Sequence, residues 1–290
     1  MPQRHNRTSR SDQAAGLRAL VRRHRSSATT IAITSGKGGV GKSNIAVNLS
    51  ICLAGRGLRV TLVDVDMGLA NADVLMNVHP RYTLSHVVSG ARSVEEVTVT
   101  GPSGLRFVPG ASGLHELADL SEFERQHLLA QLQNLEISTD ILILDCGAGI
   151  GRGVLSFALA SDQVVVVTTP EPTSLTDAYA IVKSLYRERS SARVGLFVNM
   201  ANNRSEAGSA YDRVAGVAQK FLNYPVADFG YMVHDTTVEL AVRERCPFMV
   251  RSPGSNASAC IAAMATRLAR SLTGEERRRG FFSRVAGLFV

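Results

Sequence analysis

A strand that runs directly into a glycine-rich turn and then into a helix leaves few folds open, and residues 29–44, TTIAITSGKGGVGKSN, have that form. The run TTIAIT is apolar and β-branched, which suits a strand buried on both faces. Through Gly36, Lys37, Gly38, Gly39, Val40, Gly41, Lys42 and Ser43 the turn fits G-x-x-x-x-G-K-[ST], and Asn44 follows in the first turn of the helix. Glycines there let backbone N–H groups curl around phosphates, and the helix N-terminus adds positive potential. Lys42 then reaches the β and γ phosphates and the Ser43 hydroxyl ligates Mg2+, so a nucleoside triphosphate with Mg2+ is the implied ligand. One lysine is enough for that charge, yet the turn carries a second, Lys37.

The rest of the chain supplies the sheet that such a turn requires. Strands are expected at 29–34, 59–64, 105–109, 140–145, 163–168, 193–199 and 226–229, with helices at 42–55, 122–135, 174–188, 206–222, 233–245 and 256–272. The runs ILILD and VVVVTT are continuously apolar or β-branched, as central strands of a covered parallel sheet are. This alternation predicts a P-loop NTPase fold, three layers α/β/α around a mostly parallel sheet, over residues 29–273. An arginine-rich arm (1–28) and a tail (274–290) lie outside it.

Composition narrows the function classes. At 290 residues and 45% hydrophobic the chain has enough apolar material for one large domain. No stretch approaches the roughly 18 uninterrupted apolar residues of a membrane span, and no apolar run follows the arginine-rich start, so a cytoplasmic protein is expected. Cys52, Cys146, Cys246 and Cys260 are scattered without a C-x-x-C pair, which points to buried reduced thiols rather than a metal cluster or disulfide framework. The net charge of +7 resides in the ends: residues 1–25 carry +6 and residues 267–290 carry +4, and subtracting both leaves −3 for residues 26–266. That argues against direct DNA binding by the folded body.

Two further stretches place carboxylates at the C-terminal ends of expected parallel strands, on the rim where the turn lies. VDVDMGLANAD contains Asp64 and Asp66, and ILILDCGAG ends its strand in Asp145. Aspartates two residues apart share one side of an extended chain at different depths, so one can support the magnesium shell while the other meets the attacking water. Asp145 fits a Walker-B magnesium partner, and the glycines after it permit a mobile switch loop.

Together KGGVGKS with its additional lysine, DVDMGLANAD and DCGAG resemble the deviant-Walker-A ATPases of the SIMIBI class, the family of MinD, ParA and FlhG. The resemblance covers residues 29 to about 272. It implies slow, dimer-dependent hydrolysis of ATP to ADP and phosphate, with Lys37 as the signature lysine that reaches the nucleotide of the opposite subunit. It further implies that Asp66 orients the hydrolytic water, that Asn71 lies in a switch region near the shared interface, and that Asn199 reads adenine. A helix N-cap is the competing role for Asn199. The loop TTPEPTSLTDAY also resembles the family.

The ends point to one branch. DQAAGLR, with Asp12, Gln13, Leu17 and Arg18, resembles the motif by which FlhG-type members engage and activate the signal-recognition-particle-type GTPase FlhF. A solvated basic arm is the alternative. The tail places Phe281, Phe282, Val285, Leu288 and Phe289 on one helical stripe, with Arg277, Arg278, Arg279 and Arg284 beside or opposite it. This suits reversible binding to an anionic membrane, on the inner face of the cell membrane, and resembles the targeting helix of MinD and FlhG proteins. A terminal helix docked in its own groove competes with that reading. The expected function is a membrane-cycling ATPase switch for flagellar number or placement, acting through FlhF, with flagellar switch or C-ring components as further candidate partners. MinD-like division-site placement and ParA-like DNA partitioning are the alternatives.

Overall fold

A computed structural model of the chain describes residues 28–66, 71–110, 122–270, 280–286 and 288. Strand β1 (Thr29–Ser35) leads through the glycine-rich turn into helix α1 (Lys42–Ala54), and β2 (Val60–Val65) follows. Short elements come next: α2 (Ala72–Met76), α3 (Leu84–Val88), α4 (Val94–Val97), β3 (Val99–Thr100) and β4 (Arg106–Val108). Helix α5 (Glu122–Ile137), β5 (Ile141–Ala148), α6 (Arg152–Ala160), β6 (Gln163–Thr168), α7 (Pro172–Arg187), β7 (Arg193–Ala201) and α8 (Arg204–Leu222) then alternate. The chain continues with β8 (Ala227–Val233), α9 (Thr236–Arg243), α10 (Phe248–Arg251), α11 (Asn256–Arg270) and α12 (Phe281–Ala286).

The strands form one sheet in the order β3-β4-β2-β5-β1-β6-β7-β8, antiparallel only at β3–β4. Each central strand feeds two cores because its side chains alternate. Ile31, Ile33, Ile141, Ile143, Val165 and Val167 pack on the face covered by α1 and α11. Ala32, Leu142, Leu144, Val164 and Val166 pack on the opposite face with α5, α6, α7 and α8. A strand that must be apolar at every position to satisfy both layers reads as ILIL or VVVV, which explains those runs. With all strands but β3 running one way, their C-terminal ends share one edge, and the glycine-rich turn lies there.

Two expectations need adjustment. The expected strand 226–229 runs on to Val233, so the helix expected from 233 begins only at Thr236, after Asp235 caps it by accepting the Thr237 N–H. The described part of the tail is helical, but it is docked. Phe281, Phe282 and Val285 are buried in the same core as α5 and α6, while Leu288 remains 47% exposed. Arg284, expected on a solvent- or lipid-facing side, turns inward. It donates to Ala160 O at 2.7 Å, Asp162 Oδ1 at 3.0 Å and Thr30 Oγ1 at 3.3 Å, because the buried Asp162 carboxylate draws the nearest cation. Among the described residues no helix is long and apolar enough to cross a membrane. Cys52 and Cys146 are buried, Cys246 and Cys260 half-buried, and all four thiols are free.

Candidate active site

The turn after β1 is held in place by contacts that only glycine permits. At Gly41 φ is +86°, and a Cβ there would lie 2.4 Å from Asn199 Nδ2. At Gly36 a Cβ would lie 2.4 Å from the Asp177 carbonyl carbon, so α7 closes on the loop from the other side. The loop is thus wedged between the ends of β7 and α7 with its backbone positions fixed.

Lys42 is buried at the loop's base. Its ammonium donates to Asp145 Oδ1 at 2.7 Å and lies 3.3 Å from Asp66 Oδ2 and 3.4 Å from Ser43 Oγ. The parallel register of β2 and β5 sets Asp64 opposite Asp145, which brings residues 81 positions apart to one rim. Burial works against the Lys42 charge, but Asp145 and Asp66 outweigh it and hold its pKa above the usual value. Burial, reinforced by the charge of Asp145, pushes the Asp64 carboxyl up to about 7. Burial likewise raises Asp145, against the pull of Lys42. Each carboxylate keeps one oxygen, Asp64 Oδ2 and Asp145 Oδ2, buried without a hydrogen-bond partner. Two orphaned hard oxygen donors on facing strand positions, with the Ser43 hydroxyl 3.4 Å from the Lys42 ammonium that Asp145 binds, fit a small divalent cation such as Mg2+. Among the described residues no three His, Cys, Asp or Glu side chains converge into a metal cage. Mg2+ does not need one, since it keeps waters and binds through one or two protein oxygens and substrate phosphates.

Asp66 stands at the mouth of this cluster. Its backbone N–H donates to Asp64 Oδ1 at 3.0 Å, its side chain is 21% exposed, and Gly147 leaves it room, since a Cβ there would meet Asp66 Oδ1 at 3.2 Å. Lys37 does not join the cluster. Its ammonium pairs with Glu171 Oε2 at 2.7 Å on the surface, the two side chains being 44% and 62% exposed. Glu171 comes from the TTPEPTSLTDAY loop, at the residue before α7 begins with Pro172.

Asn199 lies buried two residues before the end of β7, with its Nδ2 donating to Val40 O at 2.8 Å and its Oδ1 without a partner. It does not cap a helix. Asn203 does that for α8, accepting the Glu206 N–H at 2.9 Å. Asn71 is exposed at the start of α2, just beyond residues that are not described. Asp12, Gln13, Leu17, Arg18 and Phe289 lie outside the described residues.

Three functional candidates escaped the sequence reading. Glu171 is one, and no spacing signal links it to Lys37. The others secure the docked tail at the opposite end of the sheet. Glu136 accepts the Phe281 N–H at 2.9 Å and the Phe282 N–H at 3.5 Å, and burial raises its carboxyl. Asp162 accepts from Thr30 N–H, Thr30 Oγ1 and Arg284.

Comparison with known proteins gives concordant results. The family described as an AAA domain matches residues 28–193. The chain is 38% identical to antiactivator FleN of Pseudomonas aeruginosa over 238 residues, covering 82% of this chain and 85% of FleN. It is 35% identical to flagellum site-determining protein YlxH of Helicobacter pylori over 262 residues, 88% of each. Among solved structures, the septum site-determining protein MinD of Pyrococcus horikoshii, complexed with Mg-ADP, superposes with a TM-score of 0.67. Its identity is 23%, covering 83% of this chain and 96% of that one.

Proposed function

The chain belongs to the MinD/ParA family of P-loop ATPases, on the branch of FleN and YlxH, and we propose that it is an ATP-dependent dimerising switch that regulates flagellar number or placement. The observation that carries this reading is the separation of the two P-loop lysines. Lys42 is buried among its own carboxylates, whereas Lys37 stands on the same rim at the surface, held by an exposed glutamate. An ammonium there is displaced from the phosphates of its own loop and suits those of a second copy pressed against that rim. In a water-poor interface such a contact counts strongly, so ATP would join two copies and ADP would not.

Within each copy the chain's own groups divide the work. A triphosphate would offer Lys42 a denser negative charge than its partners Asp145 and Asp66 do, and Asp145, so released, would support the Mg2+ shell together with Asp64 and Ser43. Bound Mg2+ supplies positive charge to the β and γ phosphate oxygens. Asp66, left at the mouth, orients the attacking water. Asn199 presents its unpaired carbonyl oxygen to the amino group of adenine and keeps the loop seated through Val40.

The tail then reads as the output. In the monomer its apolar face is docked on α5 and α6; in the ATP dimer it would leave that groove for an anionic membrane, where two helices held together bind far better than one. Through DQAAGLR the arm would engage FlhF, with Gln13 helping to place the attacking water in the GTPase site. The test is GTP hydrolysis by FlhF with the full chain added. Stimulation that Gln13→Ala abolishes, with ATP binding intact, supports the assignment. Undiminished stimulation by Gln13→Ala overturns it.

A further inference from the structure

Asn199 and Met200 are consecutive residues of a strand, and in a regular strand their side chains would leave on opposite faces. Here both reach the same spot beside the P-loop: a Cβ built on Gly41 would lie 2.4 Å from Asn199 Nδ2 and 3.7 Å from Met200 Cε. The backbone accounts for it. Met200 has φ +56°, a left-handed conformation uncommon for a residue with a side chain. Between the pairs Val198–Tyr231 and Ala201–Val233, β7 advances three residues while β8 advances two, which is the mark of a bulge. Bulges beside active sites re-aim a side chain, and strained positions persist where the surroundings hold them.

What has been re-aimed is an apolar, flexible side chain left 43% exposed next to an amide that is only 3% exposed and has an unpartnered acceptor. An amide edge reads hydrogen bonds; a thioether covers a flat ring, since sulfur packs favourably on aromatic systems. We propose that Met200 forms the apolar wall against one face of the nucleotide's purine ring while Asn199 reads its edge, so that the bulge serves as a base clamp and Met200 is a positioning residue for the nucleotide. This rests on the ATPase reading above. Met200 touches the base and not the phosphates, so its contribution appears only with ligands that carry a base.

The experiment compares wild type, Met200→Gly and Met200→Asn for binding of Mg-ATP and of Mg-tripolyphosphate, which has phosphates and no base, by calorimetry on the full chain. Glycine and asparagine both tolerate the left-handed backbone, so the melting temperature should not fall. The expected result is a loss of roughly three- to tenfold in ATP affinity in both variants, with tripolyphosphate affinity unchanged. Unchanged ATP affinity overturns the clamp, and so does an equal loss for both ligands, which would make Met200 a support for the phosphate loop. A wild-type chain that failed to bind ATP would instead overturn the ATPase reading.

Discussion

Replacing Glu136 with glutamine should loosen the docked tail without altering the tail itself. The Glu136 carboxylate accepts two backbone N–H groups, from Phe281 and Phe282, at the first turn of α12. Hydrogen bonds to a charged group contribute roughly 1.5–3 kcal/mol, and a lost helix cap costs about 0.5–2 kcal/mol. Glutamine keeps one acceptor and loses the charge, so about 1–2 kcal/mol is the expected loss, which raises the undocked population roughly 5- to 30-fold. Burial of Phe281, Phe282 and Val285 holds the helix in place with roughly 5–9 kcal/mol gross. A membrane interface would bury the same side chains, however, so exchange between groove and lipid is close to balanced and a change of this size is visible. The assay is sedimentation with anionic vesicles in the absence of nucleotide, with amide hydrogen exchange over residues 281–286 as an internal gauge. Faster exchange together with increased vesicle binding fits the reasoning. Faster exchange with no increase in binding would refute the claim that docking restrains membrane attachment.

Other consequences are testable in the same preparation. Asp66→Ala should abolish measurable ATP turnover while leaving ATP bound, and turnover at the wild-type rate would remove the water-orienting role. Asn199→Ala should weaken ATP by about 1–2 kcal/mol, near tenfold by calorimetry, through loss of a buried hydrogen-bonding amide. Removal of residues 275–290 should release the protein from anionic vesicles in the presence of ATP, and persistent binding would relocate the membrane contact. Arg284→Ala removes a charged partner of the buried Asp162 carboxylate, so the melting temperature should fall; an unchanged value would mean that the ion pair contributes nothing to stability.

The sheet and the phosphate loop were legible because their constraints are local. Residues 163–168 form the strand expected of VVVVTT without adjustment, and β1, β5 and α1 differ from expectation only at their ends. The elements between Ala72 and Val108 were missed except for β4, and so were α6 (Arg152–Ala160), whose nine residues follow directly on the glycines after β5, and the short α10 (Phe248–Arg251). Helices of four or five residues span little more than one turn, too short for a periodic apolar pattern to declare itself. Strand β8 continues beyond the expected end at Phe229 because Gly230 adopts φ +113° at a register shift, which lets the strand resume its pairing. The rim placement of Lys42, Asp64, Asp145 and Asn199 was readable from the loop pattern and from positions near strand ends, since topology alone carries them there. Glu171, Glu136 and Asp162 were not, because each acts on a residue more than 100 positions away, and nothing in their local sequence encodes that partner. Arg284 was misplaced for a related reason. Helical spacing puts it beside the apolar stripe, but the buried carboxylate that turns it inward, Asp162, comes from the bend just before β6.

The proposed switch works only if ATP joins two copies of this chain through Lys37, and the direct measurement is molar mass by light scattering in the Asp66→Ala background, where hydrolysis is removed. With Mg-ATP that variant should run as a dimer and with Mg-ADP as a monomer, and adding Lys37→Ala should leave it monomeric although ATP remains bound at Lys42. A doubly substituted chain that still dimerises with ATP, or an Asp66→Ala chain that stays monomeric with ATP bound, would contradict it.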